Sequence, residues 1–410
     1  MRRRWVPAVV LGLLAGSTSG LAPAAEKSDG KDGRSEFTPA PLLGGSSDVG
    51  FGGGVIASFA RLRDGAEPYL YRIELVTTTM VKSEGGHVKV PYQDDYVLVS
   101  VPNLLGRRLK LEARAAYTRE ATQKYYGLGN ASALPPGRSL DDRYFEYDRT
   151  HPTVSLDGTL LVVKPVSLEL WLAYTHNWLD VPDGTLLAED ATSTNPAVRD
   201  RITTFSPHGF LTFSYGVEFD TRNDEVSPER GQFHSLRLDL SPGGTGGIPQ
   251  RWGRVNAAFR GYVPLVHGET TLAVRFVADL LFGAPPFYEL ARYDSTGAFG
   301  GPNGVRGVPG QRYSGMVKLF GNVEVRQKLA SFHFLDKDNV VQVAGFVDTG
   351  RLFAGYSAHP ELDGTSLGLK LGLGGGLRLV AGTSFVLRGD VAWSPDARPM
   401  GGYVAAGQAF

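Results

Sequence analysis

The run Leu367-Gly-Leu-Lys-Leu-Gly-Leu-Gly-Gly-Gly-Leu-Arg-Leu379 alternates with a strict period of two. Each odd-numbered position holds Leu or Gly, and each even-numbered position holds Gly, Lys or Arg. In an extended strand this alternation places apolar side chains on one face and small or charged side chains on the other. The pattern recurs along nearly the whole chain, and no segment with a helical pattern is available to cover the apolar faces. We therefore expect these faces to contact lipid and the polar faces to line a lumen, which predicts an all-β fold, a transmembrane antiparallel β-barrel.

Alternation and turn signals divide the chain into about 16 predicted strands. Their predicted bounds are 37–45, 49–62, 67–82, 93–101, 108–122, 148–163, 166–180, 208–222, 230–241, 252–264, 269–283, 313–329, 340–353, 366–380, 383–394 and 402–410. If both termini face the periplasm, the three longest connections all fall on the outer side: 123–148, 181–207 and 283–312. Bacterial barrels have short periplasmic turns and long outer loops, so this sorting supports the strand count.

The strand predicted over 313–329 shows which face points inward. One of its faces is apolar, and the other carries Lys318, Asn322, Glu324, Arg326 and Lys328. A charged side chain turned to lipid at the middle of the bilayer costs ~2–4 kcal/mol, so the charged face is expected to line the lumen. The same reasoning places four further charged residues on the inner wall: Arg275, Asp279, Arg388 and Asp390.

The N-terminal residues have the pattern of a secretory signal. Arg2, Arg3 and Arg4 precede the apolar run 6–14, and Ala22-Pro23-Ala24 fits a small-x-small cleavage site. The apolar run is too short to span ~30 Å of hydrocarbon as a helix, which favours cleavage over the alternative of a single anchoring helix. The predicted organisation is a signal peptide over 1–24, a short polar periplasmic tail over 25–36 and a transmembrane β-barrel over 37–410. Such a chain is expected in the cell outer membrane, as a multi-pass β-barrel with both termini in the periplasm.

Composition and motif searches exclude several classes of function. The chain of 410 residues has 42 basic and 42 acidic residues, so no nucleic-acid partner is expected. Cysteine is absent, which excludes thiol catalysis and thiolate metal sites. No two His residues of the sequence lie at i, i+4, as a zinc-binding helix would need, so we predict no metal site, and we also predict no enzyme activity and no cofactor. The partner expected from the residues alone is outer-membrane lipid.

Three segments occur in a fixed order in the last third of the chain: Gly300-Gly-Pro-Asn-Gly-Val-Arg-Gly307, Asn322-Val-Glu-Val-Arg326 and Phe346-Val-Asp-Thr-Gly350. They resemble motifs of the BamA/TamA-like outer-membrane barrels of the bacterial surface antigen family. Residues 125–130 and 220–224 also resemble segments of that family. The resemblance implies a barrel that acts in insertion or transport of proteins or other substrates at the outer membrane. It also implies a functional loop motif and a strand motif, formed respectively by Val305, Arg306 and Gly307 and by Phe346, Asp348 and Gly350.

The chain departs from the family pattern in three ways. The family carries POTRA domains before the barrel, and the predicted tail over 25–36 is too short for one, so we expect this chain to lack them. Val308 stands where the family usually has an aromatic residue. Phe410 is expected to be the C-terminal residue of the last barrel strand, but Ala406 and Gln408 occupy alternate positions where larger apolar residues are expected. We therefore predict a weak seam at the last strand.

Arg306 has two possible roles. The glycines around it, Gly304 and Gly307, permit a tight fold-back of the loop. By parity Glu324 and Asp348 point inward from adjacent strands, and a guanidinium paired with a carboxylate suits that geometry. We predict that the long extracellular loop folds into the lumen and that Glu324 and Asp348 are the lumen partners of Arg306, the pairing that the resemblance also implies. The alternative is an exposed loop charge.

Three functions stay open on the sequence alone. The first is a protein-handling barrel, with protein clients or a periplasmic partner, that opens a seam between its first and last strands. Small residues at both ends of the barrel, including Gly44, Gly45, Ala405 and Ala406, favour a seam that parts at low cost. The second is a passive or gated solute channel, because a barrel of about 16 strands is wide enough for a lumen. The third is a surface-exposed structural barrel.

Overall fold

A computed structural model describes residues 33–63, 66–84, 86–202, 205–245, 251–266, 268–294, 297–334, 337–382 and 385–410. The predicted signal peptide over 1–24 and most of the predicted tail over 25–36 lie outside these residues. None of the helices in the described ranges is long and apolar enough to cross a membrane. The helices are α1 (Leu186–Ala191), α2 (Pro196–Arg199) and α3 (Pro360–Asp363).

The strand segments are β1 (Ser35–Ser46), β2 (Gly50–Arg63), β3 (Ala66–Glu84), β4 (His87–Leu104), β5 (Leu109–Lys124), β6 (Glu146–Thr150), β7 (Thr153–Val163), β8 (Val166–Asp180), β9 (His208–Asp220), β10 (Gly231–Ser241), β11 (Gly244–Thr245), β12 (Trp252–Val266), β13 (Thr270–Gly283), β14 (Val317–Phe334), β15 (Lys337–Phe353), β16 (Lys370–Ala381), β17 (Phe385–Ser394) and β18 (Ala397–Ala406). All of them belong to one antiparallel sheet, which closes because β1 pairs with both β2 and β18.

Two of these segments are continuations of a neighbouring one. β6 and β7 both lie between β5 and β8 and form one barrel strand, interrupted at 151–152. The two-residue β11 continues β10 beside β9. The 18 segments therefore make 16 barrel strands, and the predicted strand count is confirmed.

The faces of the strands follow the predicted parity. On β14 the side chains of Lys318, Asn322 and Glu324 are buried in the interior, whereas Val323 and Val325 are exposed on the outer surface. The alternating run Leu367–Leu379 follows the same rule in β16, where Arg378 is buried and Leu377 is exposed. The interior is thus polar and the outer surface apolar, as a strand that separates lipid from a lumen requires.

Four long connections lie at the same end of the barrel, which we call the long-loop end: 125–145, 181–207, 284–316 and 354–369. They pack on one another through backbone hydrogen bonds, from Gly129 N–H to the Ser314 carbonyl (2.8 Å) and from Ala131 N–H to the Leu362 carbonyl (2.8 Å). A buried apolar cluster that includes Leu187, shared by three of these loops and the barrel wall, completes the contact. The loops therefore cap the lumen at this end.

The pairing of β1 with β18, which we call the seam, is far shorter than the pairing between any other two neighbouring barrel strands. β1 pairs with β2 over its whole length but with β18 only at Gly45 and Ser46. A backbone bond from Ser47 N–H to the Gly402 carbonyl (2.9 Å) adds one contact beyond β1. Residues 35–44 of β1 have no strand partner on the seam side within the described part of the chain. The paired part of the seam lies at the long-loop end, and its unpaired part extends toward the opposite end, with the short turns.

The last strand differs from its prediction. β18 ends at Ala406 rather than reaching Phe410, and it begins five residues before the predicted strand over 402–410. Gly407, with φ of +84°, turns the chain away from the barrel wall. Arg275 then lies over the Phe410 ring, with the guanidinium carbon 4.9 Å from the ring centroid. The expectation that Phe410 is the C-terminal barrel residue of the last strand is wrong, because cationic side chains of the inner wall hold this segment inside the lumen.

Candidate functional site

The connection 284–316, which we call the inner loop, folds back into the lumen at its tip. Gly307 has φ of +89°, a left-handed conformation that glycine adopts without steric cost. Val305 and Val308 on either side of the turn are fully buried against Phe299 of the same loop. The Val305 N–H donates to the Phe299 carbonyl at 2.8 Å. This local packing fixes the tip and directs Arg306 at the barrel wall.

Arg306 contacts both carboxylates that strand parity placed on the inner wall. Its Nε and Nη2 bond the two oxygens of Asp348 at 2.7 and 3.0 Å, a bidentate pair, and its backbone N–H also donates to Asp348 Oδ2 at 3.0 Å. Nη1 reaches Glu324 Oε2 at 2.7 Å. The guanidinium carbon lies 3.4 Å from the centroid of the Phe346 ring, which adds a cation–π contact. Every group in this arrangement is buried.

The Arg306 site belongs to a larger charged cluster, which we call the lumen network and which comprises Arg306, Arg326, Arg378, Arg388, Glu324, Asp348 and Asp390. Arg378 bridges Glu324 (3.2 Å) and Asp390 (2.5 Å), and Arg326 bonds the second oxygen of Glu324 at 2.8 Å. Such a buried cluster is held by mutual pairing, so removing one member leaves an uncompensated charge that costs several kcal/mol.

Glycines of the alternating run Leu367–Leu379 and of the strand motif make room for this cluster. A Cβ built on Gly372 of β16 would lie 1.9 Å from the Arg306 carbonyl oxygen, so no side chain fits there. A Cβ on Gly376 would lie 2.1 Å from Asp390 Oδ1. Gly350 of the strand motif admits Phe299 of the inner loop in the same way, because its Cβ would lie 2.9 Å from that ring. The even-numbered glycines of β16 therefore provide the space in which the loop tip is bound.

The inner loop also contacts both sides of the seam. The Gly307 N–H donates to the Tyr403 hydroxyl of β18 at 2.9 Å. The Gly310 N–H donates to Asp48 Oδ2, in the turn between β1 and β2, at 3.0 Å. Tyr313 donates its hydroxyl proton to Asp396, in the turn between β17 and β18, at 2.6 Å. The loop tip thus bridges the two strands at the paired end of the seam.

Asp48 gives this bridge a pH dependence. Desolvation beneath the inner loop raises the pKa of Asp48 to about 6, against the opposing effects of the Gly310 N–H and Lys82. Because the folded state binds this proton more tightly than the unfolded chain, the contribution to stability is present below about pH 4 and is lost as the pH rises through about 6. Asp48→Asn keeps an acceptor for Gly310 without the charge. We expect this variant to gain up to about 3 kcal/mol over the unaltered protein between pH 4 and 7, measured as the free energy of unfolding. An unchanged difference across that range would contradict the assignment.

Several of these residues escaped the sequence interpretation. Arg378 is at an even-numbered position of the alternating run Leu367–Leu379, so parity alone could have placed it on the inner wall beside Glu324. Asp390 was placed on the inner wall but not joined to Arg306, which it reaches at 3.4 Å. Tyr403 and Asp48 carried no signal, because their role depends on how the barrel closes.

Comparison with known proteins agrees with this geometry. A sequence profile of the Omp85 superfamily domain matches residues 102–403. The chain belongs to the Omp85 superfamily. The family resemblance carried by the loop and strand motifs is thereby confirmed. No curated protein sequence matches this Omp85 chain.

Solved structures share its fold. BamA from Haemophilus ducreyi lacking POTRA domains 1-3 is 15% identical, with a TM-score of 0.58, and the match covers 92% of this chain and 70% of that one. CdiB from Escherichia coli is 14% identical with a TM-score of 0.55, covering 90% and 62% of the two chains. CdiB from Acinetobacter baumannii is 12% identical with a TM-score of 0.52, covering 92% and 66%. At these identities the likeness establishes the barrel fold, and the chain spans less than two thirds of the length of either CdiB chain.

Proposed function

We propose that this Omp85 barrel acts in insertion or transport of proteins at the outer membrane by opening its seam. The observation that carries the proposal is the short pairing of β1 with β18, limited to Gly45 and Ser46. Separating two residue pairs breaks few hydrogen bonds, whereas parting β1 from β2 would break a ladder from Ser35 to Ser46. The seam is therefore the position at which the sheet separates most easily.

The unpaired edge of β1 supports the same proposal. Residues 35–39 are exposed on both faces, because no strand lies beside them on the seam side. A sheet edge with free backbone groups binds an extended segment by adding it as a further strand. A client strand of another outer-membrane protein fits this edge, since its apolar side chains would face the lipid together with Phe37 and Leu43. A periplasmic partner that delivers such clients is part of the proposal.

The loop contacts suggest how the barrel survives opening. The inner loop bonds Tyr403 and Asp48 at the long-loop end, while the unpaired part of β1 lies toward the short-turn end. The seam therefore opens from the short-turn end, and the two residue pairs at Gly45 and Ser46 part last, while the loop keeps both strands near each other. With the expected orientation, the opening faces the periplasm, from which an unfolded client arrives.

A gated solute channel is the second candidate, and the lumen of 16 strands is the observation that favours it. The long loops cap that lumen, and the inner loop occupies it next to the charged wall. Conduction therefore requires the loops to move. A surface-exposed structural role would rest on the same loops.

Liposomes test the proposed function. We expect the protein, reconstituted in lipid, to accelerate the folding of an unrelated unfolded barrel added from outside at least severalfold over liposomes that hold a barrel of another family. Folding is followed by the change in gel mobility of the client. Equal folding rates in both preparations, together with ion conductance through the protein, would overturn the proposal in favour of the channel.

A further inference from the structure

Two prolines occupy the free edge of β1. Pro39 and Pro41 lie within β1 and are exposed on the outer surface. Proline has no backbone N–H and is therefore confined to edge strands and bulges within sheets. The consequence of the two prolines depends on which edge of β1 their missing donors would have faced.

The hydrogen bonds around β1 identify that edge. Alternate residues of a strand direct their N–H and carbonyl groups to opposite neighbours. The carbonyl of Arg34 accepts from Leu62 N–H, so even-numbered residues face β2. Ser47 donates to the Gly402 carbonyl, so odd-numbered residues face β18. Pro39 and Pro41 are odd-numbered, and the donors that they lack are seam donors.

The register then shows where the prolines act. Gly45 pairs with Val404 and Ser46 with Tyr403. Extending this register along the seam would place residues 408 and 410 opposite Pro41 and Pro39. Neither proline offers an N–H to those residues, so two successive donor positions of the ladder are empty. The observed pairing stops at Gly45, so Leu43, the one donor position between Gly45 and Pro41, is also unpaired.

The segment that would have filled those positions is bound elsewhere. Arg275 and Arg326 donate to the backbone oxygens of Ala409 (3.3 Å) and Phe410 (3.2 Å), and Arg378 donates to Gln408 Oε1 (3.2 Å). Two of these arginines belong to the lumen network. Residues 407–410 therefore bind three guanidinium groups of the inner wall instead of pairing with an edge of β1 that lacks donors.

We propose that Pro39 and Pro41 limit the length of the seam, because a strand that pairs along β1 beyond Leu43 meets no donor at either proline. The limit applies first to β18, which leaves the wall at Gly407. On the proposed function it applies equally to a client strand, which binds the same edge through few donors and is released again. The prolines are thus positioning residues that keep both pairings short.

Cross-linking tests the limit on β18. In the extended register Ala40 would face Ala409, and adjacent strands bring such residues within the Cα separation that a disulfide needs. The chain has no cysteine, so the pair Ala40→Cys with Ala409→Cys reports this register alone. We expect no disulfide in the proline-containing chain and a high yield after Pro39→Val with Pro41→Val. The matched control is Pro264→Val in β12, at a bulge remote from the seam, which should leave the yield at zero.

Equal yields with and without the two prolines would overturn the proposal. The single variants Pro39→Val and Pro41→Val each restore one donor, and each is expected to give an intermediate disulfide yield. They replace the double variant in the test if the double variant does not fold. The client-folding assay separately tests the claim that the prolines also limit the pairing of a client strand with β1. Slower turnover of client by the double valine variant supports the limit on client strands, whereas unchanged turnover together with a formed disulfide overturns that claim only. Absence of client folding by the unaltered protein would instead defeat the proposed function, while the disulfide result would stand.

Discussion

Replacing Arg306 with alanine should release the inner loop and lower the yield of folded barrel. The substitution leaves Asp348 without the bidentate partner that it has at 2.7 and 3.0 Å, and it removes one of three cations around Glu324. Breaking a buried ion pair by removing one partner costs ~3–5 kcal/mol, because the remaining charge stays buried. We expect a loss of this size in the free energy of unfolding by urea, with the loop cut rapidly by protease in folded protein.

Two further variants make the Arg306 result specific. Arg143→Ala removes a loop arginine whose side chain is 87% exposed, and it is expected to change stability by less than about 0.5 kcal/mol. Arg306→Lys keeps the charge without the forked geometry, so we expect an intermediate loss. Unchanged protease sensitivity and unchanged barrel yield for Arg306→Ala would show that the loop is not held through this residue.

Locking the seam is the second change with a large expected effect. Ser47 and Gly402 are joined across the seam, by a backbone bond of 2.9 Å, and a Cβ on Gly402 would meet no atom within 4 Å. The pair Ser47→Cys with Gly402→Cys should therefore form a disulfide without strain, since opposed residues of this kind lie about 5.5 Å apart. We expect the oxidised protein to lose most of its acceleration of client folding and to regain it after reduction.

The control for the lock joins β18 to its other neighbour. Gly389 pairs with Val404 in the ladder between β17 and β18, and a Cβ on Gly389 also meets open space. Gly389→Cys with Val404→Cys introduces the same chemistry without linking β18 to β1, so client folding should continue at the unlocked rate. Full activity of the oxidised seam lock would mean that clients enter elsewhere.

The sequence was sufficient for the barrel because alternation is a local property. Lys318, Glu324 and Arg378 each identify the inner face of their strand by charge, whatever the rest of the fold does. The boundaries were less accurate where strands extend past the apolar band. β4 begins at His87, six residues before its prediction, because the hairpin of β3 and β4 continues as a paired ribbon.

The candidate site was predictable only in part. Parity and the motifs brought Arg306, Glu324 and Asp348 together, since each lies on a strand or loop with a readable pattern. Tyr403 and Asp48 join the site through the closure of β1 on β18, which no local pattern encodes. Their hydrogen bonds go to backbone N–H groups of the loop, which leave no signature in side-chain chemistry.

Phe410 shows where alternation fails as a guide. Its position at the end of the predicted strand over 402–410 favoured a place in the barrel wall, but a strand needs a partner edge as well as a pattern. Pro39 and Pro41 deprive that edge of donors, and the arginines of the inner wall bind residues 407–410 instead. Tertiary competition of this kind is invisible within the segment itself.

The proposed function depends on strand pairing between this protein and a client. Disulfide trapping during folding tests that pairing most directly. Leu43→Cys places a thiol on the free edge of β1, and Leu170→Cys places one at an equally lipid-facing position of β8, away from the seam. Single cysteines are placed in turn along one strand of an unrelated client barrel. We expect cross-links from position 43 at alternate client residues and only background from position 170. Equal cross-linking at the two positions, or none at position 43 while the client folds, would contradict the proposed function.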